Sequence, residues 1–304
     1  MGQMTDKNYP YIQSFIDYLK FEKRYSAHTI RSYHDDLVQF FYFLDTQFGK
    51  LTLKEISSSF VRSWLASLKD DEITARTINR KISTLKSFFK FQLKQGKIEN
   101  TPMGNIISPK ISKRLPVFIK EKDLVDLTNA LNTNTEDWDG LNTKMLITIF
   151  YSTGMRLSEL INLKEKQVDF SRKQFKILGK GNKERIIPAG MDLLAVIKDY
   201  INEKRKVFEK ADDILLVNSK GKKLYPKYAY NLVRSILQEE VKTLDKTSPH
   251  VLRHTFATHL MNNGANLDAV KELLGHASLA STQVYTHNTI EKLKNVYKKA
   301  HPKA

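Results

Sequence analysis

Apolar residues recur three and four apart through the first hundred residues of this chain, a period that commits the region to amphipathic helices. The spacing predicts a helix over 11–25, and residues 26–29 read as a break and cap before a second helix over 30–48. Its inward residues would be Tyr33, Leu37, Phe40, Phe41 and Leu44. Ser57 or Ser58 starts a third helix, through residue 68. A fourth, over 75–95, turns Ile78, Ile82, Leu85, Phe88, Phe89 and Leu93 inward. It leaves Arg76, Arg80, Lys81, Lys86, Lys90 and Lys94 on the other face. Pro102 and Gly104 close this helical region. A basic stretch with Pro109 and Pro116 at its ends then reads as an extended connector. The expected domains are 1–107 and 117–304, joined by a linker over 108–116.

The second half keeps the helical rhythm but breaks it once. Residues 146–161 read as a buried helix, a stop at Gly154 and a new helix. On it Arg156 and Glu159 share one face, and Leu157, Leu160 and Ile161 cover another. Between Phe175 and Pro188, two strand-like runs flank Gly179, Lys180, Gly181 and Asn182, which is a hairpin signal. Ser248 and Pro249 suit a helix entry, and Gly264 suits its end, with Leu252, Phe256 and Leu260 as the inward stripe. A short helix over 267–274 stops at Gly275. A last one over 290–300 aligns Ile290, Leu293, Val296 and Tyr297. The expected fold is therefore mainly α with a small antiparallel β-sheet.

The chemistry-bearing residues lie in this half. His250 and Arg253 are three apart on one helical face, His276 follows a helix stop, and Tyr285 lies nine residues further on. Arginine and histidine are the groups that hold and activate a phosphodiester, and a tyrosine hydroxyl can attack phosphorus. Arg156 near a helix start adds an anion-binding guanidinium where the helix dipole also favours phosphate. A glycine-flanked Lys180 can reach into a groove as a proton donor. Each residue alone has an ordinary explanation, as a surface histidine, a helical ion pair or a solvated lysine; the argument rests on the set.

Charge sets an independent bound. With 50 Lys and Arg against 33 Asp and Glu, the formal net charge is +17, which points to a polyanionic partner. Residues 1–107 carry 16 basic against 11 acidic side chains, and 108–304 carry 34 against 22, so the excess is larger where the candidate residues lie. The absence of cysteine excludes thiolate zinc sites and agrees with a reducing compartment. His254 and His259 are five apart, which does not fit a helical His-Glu-x-x-His zinc site, and no metal is expected. No apolar stretch reaches membrane length and no signal peptide is read at the start, so no membrane association is expected.

Taken together, Arg156, Lys180, His250, Arg253, His276 and Tyr285, in the segments 153–159, 179–185, 249–260 and 272–287, resemble the tyrosine recombinases. These are the site-specific DNA recombinases and phage-type integrases, and the likeness is closest to their Xer subgroup. The resemblance implies an N-terminal helical core-binding (SAM-like) domain and a C-terminal catalytic domain. It implies Tyr285 as nucleophile, forming a 3′-phosphotyrosyl link, with Arg156 and Arg253 clamping the phosphate. Lys180 would be the general acid, His250 would assist proton transfer, His276 would bond a phosphate oxygen, and Glu159 would support its neighbours. Arg80, Lys81, Lys183 and Arg185 are the expected DNA contacts. No cofactor is implied, because transesterification conserves bond energy. The implied partners are a double-stranded recombination site and three further protomers, as a homotetramer or a heterotetramer with a paralogous recombinase. A septal DNA translocase is a further candidate partner. The implied location is cytoplasmic and nucleoid-associated, and the implied role is chromosome-dimer resolution at a dif-like site. An integrase of a mobile element or integron, a type IB topoisomerase-like enzyme and a non-catalytic DNA-binding protein stay open as alternatives. So does the question of whether the last helix docks on its own chain or on a neighbour.

Overall fold

The computed structural model describes residues 9–111, 117–133, 135, 137–178, 184–244, 247–275 and 287–302, with side chains in the last stretch from 293. The chain forms two compact units, Met1–Arg114 and Leu115–Ala304.

The first unit is built from α1 (Pro10–Asp17), α2 (Ala27–Phe48), α3 (Ser58–Asp70) and α4 (Ala75–Lys94). A π-helical turn over Tyr18–Glu22 extends α1, so the single helix expected over 11–25 is shorter and changes pitch. Ser26 and Thr74 cap α2 and α4 by accepting the amides of Thr29 and Thr77. The core is aromatic: Trp64 stands edge-on to Phe40 at 5.0 Å, and Phe88 and Phe89 meet at 5.2 Å. Within it lies a buried carboxylate, Asp36, which is 1% exposed. Its carboxylate accepts from Lys81 Nζ at 2.8 Å, from Arg80 Nη2 at 2.8 Å and from Thr84 Oγ1 at 3.0 Å.

Lys81 is thereby corrected. Expected on the DNA-facing side of α4, it is buried, bonded to Asp36 and Gln39 and set over the Trp64 ring. The reason is its spacing, since Lys81 falls between Ile78, Ile82 and Leu85 on the inward stripe. Arg80, one residue earlier, points outward with its side chain 47% exposed.

The second unit centres on α6 (Trp138–Thr153), whose residues are buried on nearly every side from Asn142 to its end. Around it pack α5 (Glu121–Thr133), α8 (Met191–Val207) and α9 (Pro226–Glu240), three helices that the apolar spacing did not single out. The four-residue α7 (Leu157–Leu160) follows α6. A three-stranded antiparallel sheet, β1 (Val168–Asp169), β2 (Gln174–Leu178) and β3 (Glu184–Pro188), runs in chain order, with Phe175 opposite Ile187 and Ile177 opposite Arg185. β2 and β3 form the expected antiparallel pair; the turn between them lies outside the described residues.

The unit closes with α10 (Pro249–Asn262), α11 (Leu267–Leu274) and α12 (His287–Ala300). Ser248 sits at the N-cap of α10 as expected, but its side chain makes no capping bond. α10 brackets the backbone of Ile119, whose amide donates to Thr255 Oγ1 and whose carbonyl accepts from His259 Nε2. His259 Nδ1 then faces the Tyr151 hydroxyl at 3.0 Å, so this histidine is a structural link rather than a metal ligand. In this chain α12 docks on its own unit. Leu293 and Tyr297 pack with Phe256, Leu260 and Leu273, the Tyr297 hydroxyl donates to Ser152 O at 3.0 Å, and Asn263 Nδ2 donates to Ala300 O. No helix among the described residues is long and apolar enough to cross a membrane.

Tyr297→Phe is expected to cost about 1 kcal/mol, the usual net worth of one hydrogen bond, and Tyr297→Ala several times that. Amide hydrogen exchange should show faster opening of α12 in both variants, with α5 and α8 unaffected. Equal acceleration across the unit would refute a local docking role.

Candidate active site

Three arginines from three elements converge on the last turn of α11. Gly275 ends that helix in the left-handed conformation, at φ 65°, and leaves the preceding carbonyls without helical partners. Arg185 of β3 donates its Nε to Leu273 O at 3.2 Å. Arg253 of α10 donates Nη2 to Leu274 O at 2.5 Å. Arg156, at the N-cap of α7, donates Nη2 to Gly275 O at 2.9 Å. Three consecutive carbonyls thus each take one guanidinium, at the negative end of the helix dipole.

The other ends of these side chains are fixed as firmly. Arg253 Nη1 donates to Gly154 O at 2.5 Å. Gly154 caps α6 at φ 58°, and a Cβ built there would stand 2.3 Å from the Phe256 ring, so only glycine allows α6 and α10 to approach this closely. Glu159 holds the other two arginines with one carboxylate. It accepts from Arg156 N at 2.7 Å and Nη1 at 2.8 Å, and from Arg185 Nη1 at 2.8 Å and Nη2 at 2.7 Å. Arg185 spends its whole fork on protein acceptors and its side chain is 5% exposed, whereas that of Arg156 is 38% exposed.

Arg185 is the second correction. Expected as a DNA contact, it lies inward beside Ile187, because alternate residues of a strand share a face. That period of two was the available signal. Arg156, Glu159 and Arg253 are brought together, and His250 and His254 lie on exposed positions of the helix that carries Arg253. Lys180, Lys183, His276 and Tyr285 lie outside the described residues. The carbonyls of Gly154, Leu274 and Gly275 belong to the site as well; no side-chain pattern could have announced them.

The electrostatics follow from these contacts. Burial alone would raise the Glu159 carboxyl, but the hydrogen bonds and charge of Arg185, with those of Arg156, outweigh it and hold the group at about 2. Burial, then the charge of Arg156, lowers Arg253 to about 10, which leaves it protonated at neutral pH. His254, an exposed residue, is lowered by partial desolvation against the helix and by the charges of His250 and Arg253, which favours its neutral form. Among the described residues, three guanidiniums therefore face one carboxylate, an excess of two positive charges around Glu159. Such an excess is the mark of a site completed by an anion.

Residues 117–292 match the Phage integrase family, and residues 12–96 match its N-terminal SAM-like domain. The chain belongs to the phage integrase family of tyrosine recombinases. Among curated members, it is 38% identical to tyrosine recombinase XerC of Staphylococcus haemolyticus over 294 residues, which is 96% of each chain. It is 40% identical to that of Anoxybacillus flavithermus, over 95% of this chain and 97% of the relative. In structure this recombinase is similar to XerH site-specific recombinase bound to palindromic difH substrate, in a post-cleavage complex. The TM-score is 0.70, with 25% identity, over 93% of this chain and 82% of that one. The family is that of DNA strand-exchange enzymes.

Glu159 is ionised in the folded state well below its ordinary value of 4.5, so it adds stability that is complete above pH 4.5 and lost as pH falls toward about 2. In urea unfolding, the advantage of wild type over Glu159→Gln should stay level from pH 7 to 4.5 and then shrink by roughly 3 kcal/mol on acidification. A pH-independent difference would show that the carboxylate charge is not what stabilises the cluster.

Proposed function

We propose that this enzyme cuts and rejoins double-stranded DNA at a dif-like site through a 3′-phosphotyrosyl intermediate and a Holliday junction, and so resolves chromosome dimers. The observation that carries this reading is the excess positive charge, among the described residues, of the Arg156, Arg185 and Arg253 cluster around Glu159. Relatives named XerC that align along nearly the whole chain, and an XerH complex with difH, supply the substrate class.

In this reading Arg156 and Arg253 bind the two non-bridging oxygens of the scissile phosphate. Each already has part of its fork anchored on backbone carbonyls and keeps further N–H groups for the ligand. Both are in place before substrate arrives, so the charge that builds on phosphorus meets fixed donors with little reorganisation. Tyr285 attacks, Lys180 protonates the leaving 5′-oxygen, His250 assists proton transfer, and His276 bonds a phosphate oxygen. Glu159 orients Arg156. Arg80 and Lys183 contact DNA outside the scissile phosphate. Four protomers, alike or of two paralogous kinds, act on two sites, with a septal translocase as a candidate activator, in the nucleoid.

Covalent capture tests this. The enzyme is incubated with fragmented host DNA and denatured, and the DNA that stays attached is sequenced. One short, imperfectly palindromic site near the replication terminus is expected. Enrichment at mobile-element ends would replace the proposal with an integrase, and binding without any adduct would leave a DNA-binding protein. Tyr285→Phe should bind the site and form no adduct. Arg253→Ala should lower single-turnover cleavage by a factor of at least about 100, the scale of losing one transition-state donor, with a far smaller loss of binding. Equal losses would mean that Arg253 only holds DNA.

A further inference from the structure

Glu159 poses an electrostatic difficulty for the site it supports. It lies 2.8 Å from Arg156, the partly exposed arginine proposed to bind phosphate, and an unopposed carboxylate there would cancel that charge and repel the incoming anion. Arg185 removes the difficulty. It meets Glu159 through two nearly equal bonds, at 2.8 and 2.7 Å, from the buried side, and makes no other ion pair among the described residues. Gly275 completes the fit: a Cβ there would lie 3.0 Å from Arg185 Cδ and 3.1 Å from its Nε, so the glycine that ends α11 also makes room for this side chain.

We infer that Arg185 is a positioning residue that neutralises Glu159 from within, so that Glu159 can orient Arg156 without cancelling its charge toward a phosphate. The inference rests on the recombinase reading for the identity of the anion. In it Arg185 touches neither DNA nor the reacting atoms. The division of labour follows from exposure: the inner cation holds the carboxylate, and the outer cation is free to bind.

The test separates charge from packing. Inorganic phosphate is titrated into the full-length protein at constant ionic strength, with the Nε–H signal of Arg156 followed by NMR. Wild type should show saturable binding. Arg185→Met should weaken it by at least about tenfold, since a unit charge within a few ångströms acts on that scale even at an effective dielectric near 20. Arg185→Lys, which keeps the charge but loses the fork, should fall between Arg185→Met and wild type. The double variant E159Q/R185M, which removes both charges, should recover to a similar level, and it carries the test should Arg185→Met alone not fold.

A double variant no better than Arg185→Met, a lysine variant as weak as the methionine one, or a wild type that binds no phosphate would overturn the inference. The same four proteins assayed on the captured DNA site should rank in the same order for cleavage. Should the phosphate ranking hold while wild type forms no adduct, the recombinase reading fails and the role of Arg185 in anion binding stands. Should adducts form with no ranking, only the role of Arg185 fails.

Discussion

The end of α11 is where the second unit converts backbone geometry into a cluster of positive charge. A helix C-terminus leaves carbonyls that must find donors. Here Leu273, Leu274 and Gly275 find them in three arginines brought by a strand, a long helix and a helix cap. The arrangement ties β3, α7 and α10 to one point and satisfies acceptors that a short, partly buried helix could not otherwise satisfy. It also gathers three positive charges that would repel one another without Glu159. Stability and the gathering of positive charge are therefore not separable properties of this region.

The same device recurs, with one carboxylate held by a buried cation and presenting an outward one. Asp36 pairs with buried Lys81 and with Arg80, whose side chain is 47% exposed. Glu165 pairs with Lys204, 2% exposed, and with Arg205, 69% exposed. A lone buried carboxylate would be costly, and a lone exposed pair would contribute little. The inner cation makes the carboxylate a fixed base from which the outer one is oriented.

Much of the architecture was legible in the sequence. The period of the apolar residues located α2, α3, α4, α10 and α11 to within a few residues, and glycine marked the ends of α6 and α11. α5, α8 and α9 escaped notice because no motif drew attention to them. The two misplaced cations, Lys81 and Arg185, share a cause. Both were assigned outward on residue type, yet their positions in the helical and strand periods put them inward. Period outranked polarity, because each had a buried carboxylate to meet. The convergence at α11 was legible only in part. Arg156 and Arg253 stand out as residue types, but the acceptors that orient them are carbonyls, which every residue carries.

Gly154 links two positions that no shared chemistry would connect. It stops α6, lends its carbonyl to Arg253, and leaves the space that the Phe256 ring fills. A methyl group at 154 and the phenyl ring at 256 in its present position cannot coexist. Along any lineage of this fold, the ring must shrink or turn aside before the glycine can change. The order of the two substitutions is therefore constrained by sterics, and sequences carrying only the second should be missing from the historical record.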